Sequence, residues 1–217
     1  MLKLVQTADG SNTIFNEAVG ENYHSRNGAL QESRHVFVEA GLNYFLGQTN
    51  PKEVSILEVG FGTGLNFLLS ANECQKRNIR LSYTGIEAYL LTDELISRTG
   101  YQEYVSPKLW QEFIAAYPDS FKTDNIELDI AACPLSDFQS GKRFDIIYFD
   151  AFAAARQPEM WNEAAISHTA QFIKPCGVFV TYAITGNLKR MLRSLGFTIQ
   201  KIPGAAGKRE MLRAISI

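Results

Sequence analysis

Cysteine is scarce in this chain. Its 217 residues hold three, Cys74, Cys133 and Cys176, an odd number, far apart and never in a C-x-x-C pair. That spacing indicates neither a disulfide framework nor a thiolate metal site. Histidine is equally sparse: His24, His35 and His168 share no ligand spacing, so no bound metal is expected. No run of about 18 apolar residues occurs, the length a bilayer-crossing helix needs. The opening MLKLVQTADG is alternating and polar, without the charged and apolar regions of a secretion signal. A cytoplasmic protein with no membrane partner is expected.

What is present is ordinary for a globular protein: 46% apolar and 20% charged residues, with no low-complexity tract. The length fits one domain. The net charge of −2 hides an asymmetry. Between Asn187 and Arg213 there are seven basic residues and one acid. That segment carries about +6, and the remainder, with 14 basic and 22 acidic residues, about −8. A basic segment at one end is either a solvated face or the surface a polyanion meets.

The pattern changes along the chain. LKLVQT, Asp9-Gly10 and NTIFNE read as a β-hairpin, the Asp-Gly pair supplying the φ > 0 turn. YHSRNGALQES is polar and turn-like, and SRHVFVEAGLNYFLG reads as a helix with Ser33 as N-cap and Gly41 as an interior weakness. After Asn50-Pro51, apolar strands at 54–60, 81–88, 125–132, 144–151 and 177–184 alternate with helical segments near 64–78, 92–117 in two pieces, 158–173 and 187–195. Strands this continuously apolar belong to a parallel sheet covered on both faces. FTIQKIP and REMLRAISI are joined by GAAGK, too short for a crossover helix, and must pair as an antiparallel hairpin at one side of the sheet. The expected organisation is an N-terminal hairpin and helix over 1–50, packed on a catalytic domain over 51–217.

An α/β chain of five such units ending in a hairpin resembles the class I S-adenosylmethionine-dependent methyltransferases, with a mostly parallel seven-stranded sheet; a dinucleotide-binding Rossmann domain lacks the hairpin. The glycines agree. In open α/β sheets ligands sit at the carboxyl ends of the strands, and Gly60, Gly62 and Gly64 fall just after the first. A dinucleotide fingerprint needs G-x-G-x-x-G/A; counting from Gly60 the last position is Leu65, and from Gly62 it is Phe67. The observed E-x-G-x-G-x-G instead resembles the methyltransferase motif, in which the turn passes under the methionyl moiety and Glu58 holds the strand end. Asn66, at the start of the next helix, is placed with them as a cofactor contact. Glu87 closes the second strand, where a carboxylate accepts both ribose hydroxyls of an adenosine. After the third strand, adenine contacts are assigned to the backbone of Ala132 and Cys133.

The fourth strand runs into FDAFAAARQPEMW. Asp150 ends the apolar run, so its carboxylate is expected in the cleft with Phe152 beside it. An anion next to an aromatic face is a seat for an amine. Both are candidate catalytic residues. Pro158 suits the first turn of a helix carrying Glu159, Met160 and Trp161.

Four stretches, YHSRNGALQESRHVF, LEVGFGTGLNFLL, DAFAAARQPEMW and TYAITGNLKRMLRSLGF with PGAAGKREML, are together similar to the tRNA 5-aminomethyl-2-thiouridine methyltransferases, the methyltransferase half of the bifunctional MnmC enzyme. The resemblance implies methyl transfer from S-adenosyl-L-methionine to the exocyclic amine of 5-aminomethyl(-2-thio)uridine at the wobble position of tRNA. It places Tyr23, Ser25 and Glu32 in a cofactor-side flap. Lys208 and Arg209, with Arg190, become contacts to the anticodon region. It also implies a separate FAD-dependent oxidase acting upstream, unless that step is not needed. Departures are Ala153, Ala154 and Ala155 in place of a Ser/Pro-containing stretch, and P-G-A-A-G-K-R where the family has P-G-F-G-x-K-R. A small-molecule amine methyltransferase, an aminopropyltransferase and a non-catalytic nucleotide-binding module remain as alternatives.

Overall fold

The computed structural model describes residues 1–217. β1 (Leu2–Gln6) and β2 (Asn12–Asn16) form the expected hairpin, to which β3 (Glu21–Asn22) adds a short third strand. The helix that follows begins earlier than its sequence suggests. α1 (Ala29–Glu32) runs without a break through a π-helical stretch, Ser33–Asn43, into α2 (Tyr44–Thr49). Its cap is not Ser33, which is buried inside the helix with its hydroxyl unpartnered. The N-terminal amides are satisfied from the distant hairpin turn: Ser11 Oγ accepts from Ala29 and Leu30 N–H at 3.1 Å each, and Asp9 Oδ2 accepts from Gln31 N–H at 2.9 Å. The orphan amides of a first turn can be satisfied by any nearby oxygen, and here that oxygen lies far away in sequence.

The main sheet is built from β4 (Glu53–Val59), β5 (Arg80–Ile86), β6 (Phe121–Lys122), β7 (Ile126–Ala131), β8 (Phe144–Phe149), β9 (Ile173–Thr181), β10 (Phe197–Pro203) and β11 (Glu210–Ser216). Its order is β10-β11-β9-β8-β4-β5-β7-β6. The seven expected strands are therefore joined by an eighth, the two-residue β6, which pairs antiparallel with β7 at the edge. β4, β5, β7, β8 and β9 pair in parallel, whereas β11 pairs antiparallel with both β9 and β10. Helices α3 (Leu65–Lys76), α4 (Asp93–Ser97), α5 (Pro107–Ala116), α6 (Glu163–Ala170) and α7 (Gly186–Ser194) fill the connections. The expected helix over 158–173 is divided. Pro158–Trp161 is a 3₁₀ turn, and Asn162 then caps α6 by accepting from Ala165 N–H at 2.9 Å.

Two apolar clusters cover the two faces. One joins Ile14, Val36, Phe37 and Leu42 of the N-terminal segment to Ile56, Phe67, Tyr83 and Tyr148, and the other joins Leu57, Phe149 and Phe179 to Ile166, Leu188 and Leu192. Gly41, expected to weaken its helix, sits where the helix crosses the sheet. An added Cβ would lie 2.9 Å from Tyr148 Cε1 and 3.0 Å from Val180 Cγ1. Gly41→Ala is therefore expected to lower stability by about 1–3 kcal/mol through overpacking, although the same exchange at an open helical site gains roughly 1 kcal/mol. The denaturant midpoint of the variant measures the sign.

Candidate active site

The strands β4, β5, β7 and β8 end on the same side, and a cavity of about 1320 Å³ opens there. Its floor is the turn after β4. Gly60 N–H and Phe61 N–H both donate to Ile86 O at 3.0 Å, which pulls the turn against the end of β5. Gly60 (φ +86) and Gly62 (φ +52) occupy left-handed backbone, and both positions are crowded as well. A Cβ on Gly60 would meet Asp150 O at 2.6 Å, and one on Gly62 the Tyr23 ring at 2.9 Å. Side chains here would push the β8 loop and the N-terminal segment off the floor.

Glu87, one residue past β5, faces this turn. Its Oε2 accepts from Gly62 N–H and its Oε1 from Tyr89 N–H, both at 3.0 Å. Burial raises its carboxyl above the ordinary range against the pull of those amides. Each oxygen keeps a lone pair for a further donor. Asp150 follows β8 on the opposite wall. Its N–H donates to Val59 O at 2.9 Å, and its Oδ2 accepts from Asn66 Nδ2 at 2.9 Å. Burial, with the Glu32 carboxylate adding to it, pushes Asp150 up to about 8, against the Asn66 hydrogen bond and Lys208.

The remaining wall comes from segments distant in sequence. Phe152 packs edge-on against Tyr23, ring centres 5.0 Å apart. Phe152 O accepts from Trp161 Nε1 at 2.7 Å, and the next amide, Ala153 N–H, donates to Glu21 Oε2 at 3.0 Å. Glu32 is 7% exposed; its Oε2 accepts from Ser25 N–H at 2.7 Å, and its Oε1 pairs with Lys208 Nζ at 2.9 Å. Lys208 also lies 3.8 Å over the Tyr182 ring, whose hydroxyl donates to Ala151 O at 2.9 Å. The N-terminal segment and the terminal hairpin loop thus meet across the cavity mouth.

Of the residues singled out from sequence, Tyr23, Ser25, Glu32, Gly60, Gly62, Asn66, Glu87, Cys133, Asp150, Phe152 and Lys208 line this one cavity. Four do not. Glu58 is fully buried beneath the floor, held by Asn66 Nδ2 and Tyr83 OH at 2.7 Å each. Gly64 caps α3 under Phe61 and Phe113. Ala132 and Arg190 also lie outside it, and Arg190 sits exposed on α7. Lys208 differs from expectation in another way: it is not a free cation but the partner of Glu32. Arg209 is exposed beside a smaller groove lined by Ala153, Ala154 and Trp161.

The sequence reading missed Tyr182, Glu21 and His24, all on the cavity wall. Tyr182 follows β9 as Asp150 follows β8, so strand-end position was a usable signal. His24 had none. It is buried with Nδ1 2.9 Å from Thr13 Oγ1, and burial lowers it to about 4, so it stays neutral. No group of His, Cys, Asp and Glu has metal-holding geometry. No helix is long and apolar enough to cross a membrane.

The profile of a family described as S-adenosyl-L-methionine-dependent methyltransferase matches residues 100–217. The chain is 32% identical over 217 residues to the tRNA 5-methylaminomethyl-2-thiouridine biosynthesis bifunctional protein MnmC of Leptospira borgpetersenii serovar Hardjo-bovis (strain JB197), covering 92% of this chain and 33% of that protein. It is 28% identical over 216 residues to the protein of the same name from Magnetococcus marinus, covering 94% and 32%. The chain thus spans about a third of the length of these relatives. Among solved structures, MNMC2 from Aquifex aeolicus superimposes over 100% of this chain and 70% of that one, with a TM-score of 0.82 at 22% identity. N-methyltransferase NodS from Bradyrhizobium japonicum WM9 shares the fold at a TM-score of 0.52 and 17% identity, over 88% of this chain and 97% of that one.

Proposed function

The chain belongs to the family of S-adenosyl-L-methionine-dependent methyltransferases, and from that premise we propose that it methylates the exocyclic amine of 5-aminomethyl(-2-thio)uridine at the wobble position of tRNA. The observation that carries the reading is Asp150: a carboxyl at the end of β8 on the cavity wall, held by Asn66 Nδ2 at 2.9 Å, with Phe152 beside it and burial pushing it up to about 8. The names of the similar proteins, which concern 5-methylaminomethyl-2-thiouridine in tRNA, point to the acceptor. In this reading the amine is exposed by a flavin-dependent oxidation that precedes methyl transfer.

The cavity fits S-adenosyl-L-methionine by its donor set. The bare floor at Gly60 and Gly62 admits the methionyl portion, Glu87 has free lone pairs for ribose hydroxyls, and Cys133 marks the adenine end. When bound, the cofactor supplies a methyl group on a sulfonium, whose transfer leaves the bonding electron pair on sulfur. The acceptor nitrogen must be a neutral amine to attack. An ordinary carboxylate would hold it as the ammonium ion. Asp150, titrating close to working pH, shares that proton almost evenly, which is where a general base is most effective. It accepts the proton released from the product nitrogen and passes it to water. Phe152 and Tyr23 wall off solvent and present ring faces to the cationic product.

Exposed Arg209 and Arg190 are left to meet tRNA phosphates. The test uses tRNA lacking the final methyl group, purified protein and labelled cofactor, followed by nucleoside mass spectrometry. The 5-methylaminomethyl product is expected, with tRNA affinity falling steeply as salt rises. Cofactor binding without methylation of any RNA, or methylation of small amines alone, overturns the reading.

A further inference from the structure

Asn66 makes one pair of contacts that the scheme above does not use. Its Nδ2 donates to two carboxyls at once, Glu58 Oε1 at 2.7 Å and Asp150 Oδ2 at 2.9 Å. Glu58 is fully buried and also accepts from Tyr83 OH at 2.7 Å. Asn66 itself is 2% exposed, lies at the start of α3 behind the glycine turn, and lines the cavity. Its own Oδ1 is buried and has no partner.

We propose that Asn66 is a positioning residue for Asp150: its amide nitrogen clamps Asp150 Oδ2 to the buried Glu58–Tyr83 pair and leaves the other Asp150 oxygen for the acceptor. This deepens the function proposed above and rests on it. A neutral primary amine has two N–H bonds and one lone pair. An Asp150 oxygen held in one place accepts one of those hydrogens and limits the directions open to the lone pair. In a displacement that needs three atoms in line, that orientation is worth a large share of the rate.

The charged and titratable groups facing Asp150 come from every wall: Glu58 and Tyr83 beneath, Glu32 from the N-terminal helix, Lys208 from the hairpin loop and Tyr182 from the end of β9. Burial raises the Glu58 carboxyl well above the ordinary range, so the clamp ties Asp150 to an acid whose charged form is disfavoured. Asn66 is the side chain that hydrogen-bonds Asp150. Removing a donor from a carboxylate disfavours its charged form.

The experiment reads the Asp150 titration directly, by carbon NMR of protein labelled at the aspartate carboxyls, with Asp150→Asn giving the assignment. In Asn66→Ala the Asp150 titration is expected to move upward by about 1 pH unit, the acid limb of the methyl-transfer rate to move with it, and kcat to fall by about 10 to 100-fold. The dissociation constant for S-adenosyl-L-methionine should stay within about threefold. Asn66→Ser, which keeps a donor, recovers part of the loss and covers the case in which the alanine variant does not fold. An unmoved Asp150 titration in Asn66→Ala, or an Asn66→Ser variant that moves the titration while leaving kcat untouched, overturns the clamp, and a large loss of cofactor affinity alongside it makes Asn66 a direct cofactor ligand instead. If the titration moves but the unaltered protein methylates no tRNA, the clamp stands and the proposed acceptor fails.

Discussion

Asp150→Asn lowers the methyl-transfer rate by about 10³-fold, within the range that general-base removal produces, and leaves the dissociation constant for S-adenosyl-L-methionine within about threefold. The exchange keeps the shape of the side chain, and its amide oxygen can still accept from Asn66 Nδ2 as Asp150 Oδ2 does at 2.9 Å. What it removes is proton-accepting capacity. In the unaltered protein the rate should rise with pH as the carboxyl ionises through about 8, and that limb should be absent from the variant. Stability moves in the opposite sense. The folded-state value, about 8, lies above the ordinary 3.8, so between these values the folded chain holds a proton that the unfolded chain releases. Stability from this group is greatest below 3.8 and declines as pH climbs through 8. The asparagine variant lacks that decline and should be relatively more stable at high pH. Rates and denaturation midpoints measured across pH 6–9.5 check both. Unchanged turnover removes Asp150 from the mechanism.

Glu87→Ala is expected to weaken S-adenosyl-L-methionine binding by about 10²-fold. Two hydrogen bonds to a charged acceptor contribute about 1.5 kcal/mol each, and 1.4 kcal/mol corresponds to tenfold in affinity. The variant also strips Gly62 N–H and Tyr89 N–H of their shared acceptor at 3.0 Å, which loosens the floor turn. Glu87→Gln retains one good acceptor and should lose only about tenfold. Because burial already raises this carboxyl, neither change should cost much global stability, and calorimetry on folded protein can separate the two effects. Affinity within threefold of the unaltered protein for the alanine variant means that Glu87 does not hold the cofactor.

The elements that were legible in the sequence are those whose causes are local. β/α alternation follows from short apolar runs between amphipathic ones, the floor turn from three glycines after a strand, and the final hairpin from a connection too short to cross over. Strand ends were read a residue or two long: β5 stops at Ile86 and β8 at Phe149. That error is informative, because it puts Glu87 and Asp150 just beyond the ladder, on backbone free to turn toward the cavity. The helix start at Ala29 was missed because its caps, Asp9 and Ser11, belong to another element.

By itself, then, the order of residues determined the sheet, the turn beneath the cavity and which acids stand at the strand ends. Only the tertiary structure decided their states. Asp150 is pushed up chiefly by burial, with Glu32 adding to the rise and Asn66 and Lys208 opposing it from different elements. Lys208 became a cavity residue because Glu32, 176 positions away, captured it. Electrostatic work depends on distance and burial in space, and neither quantity is written in the spacing of residues along a chain.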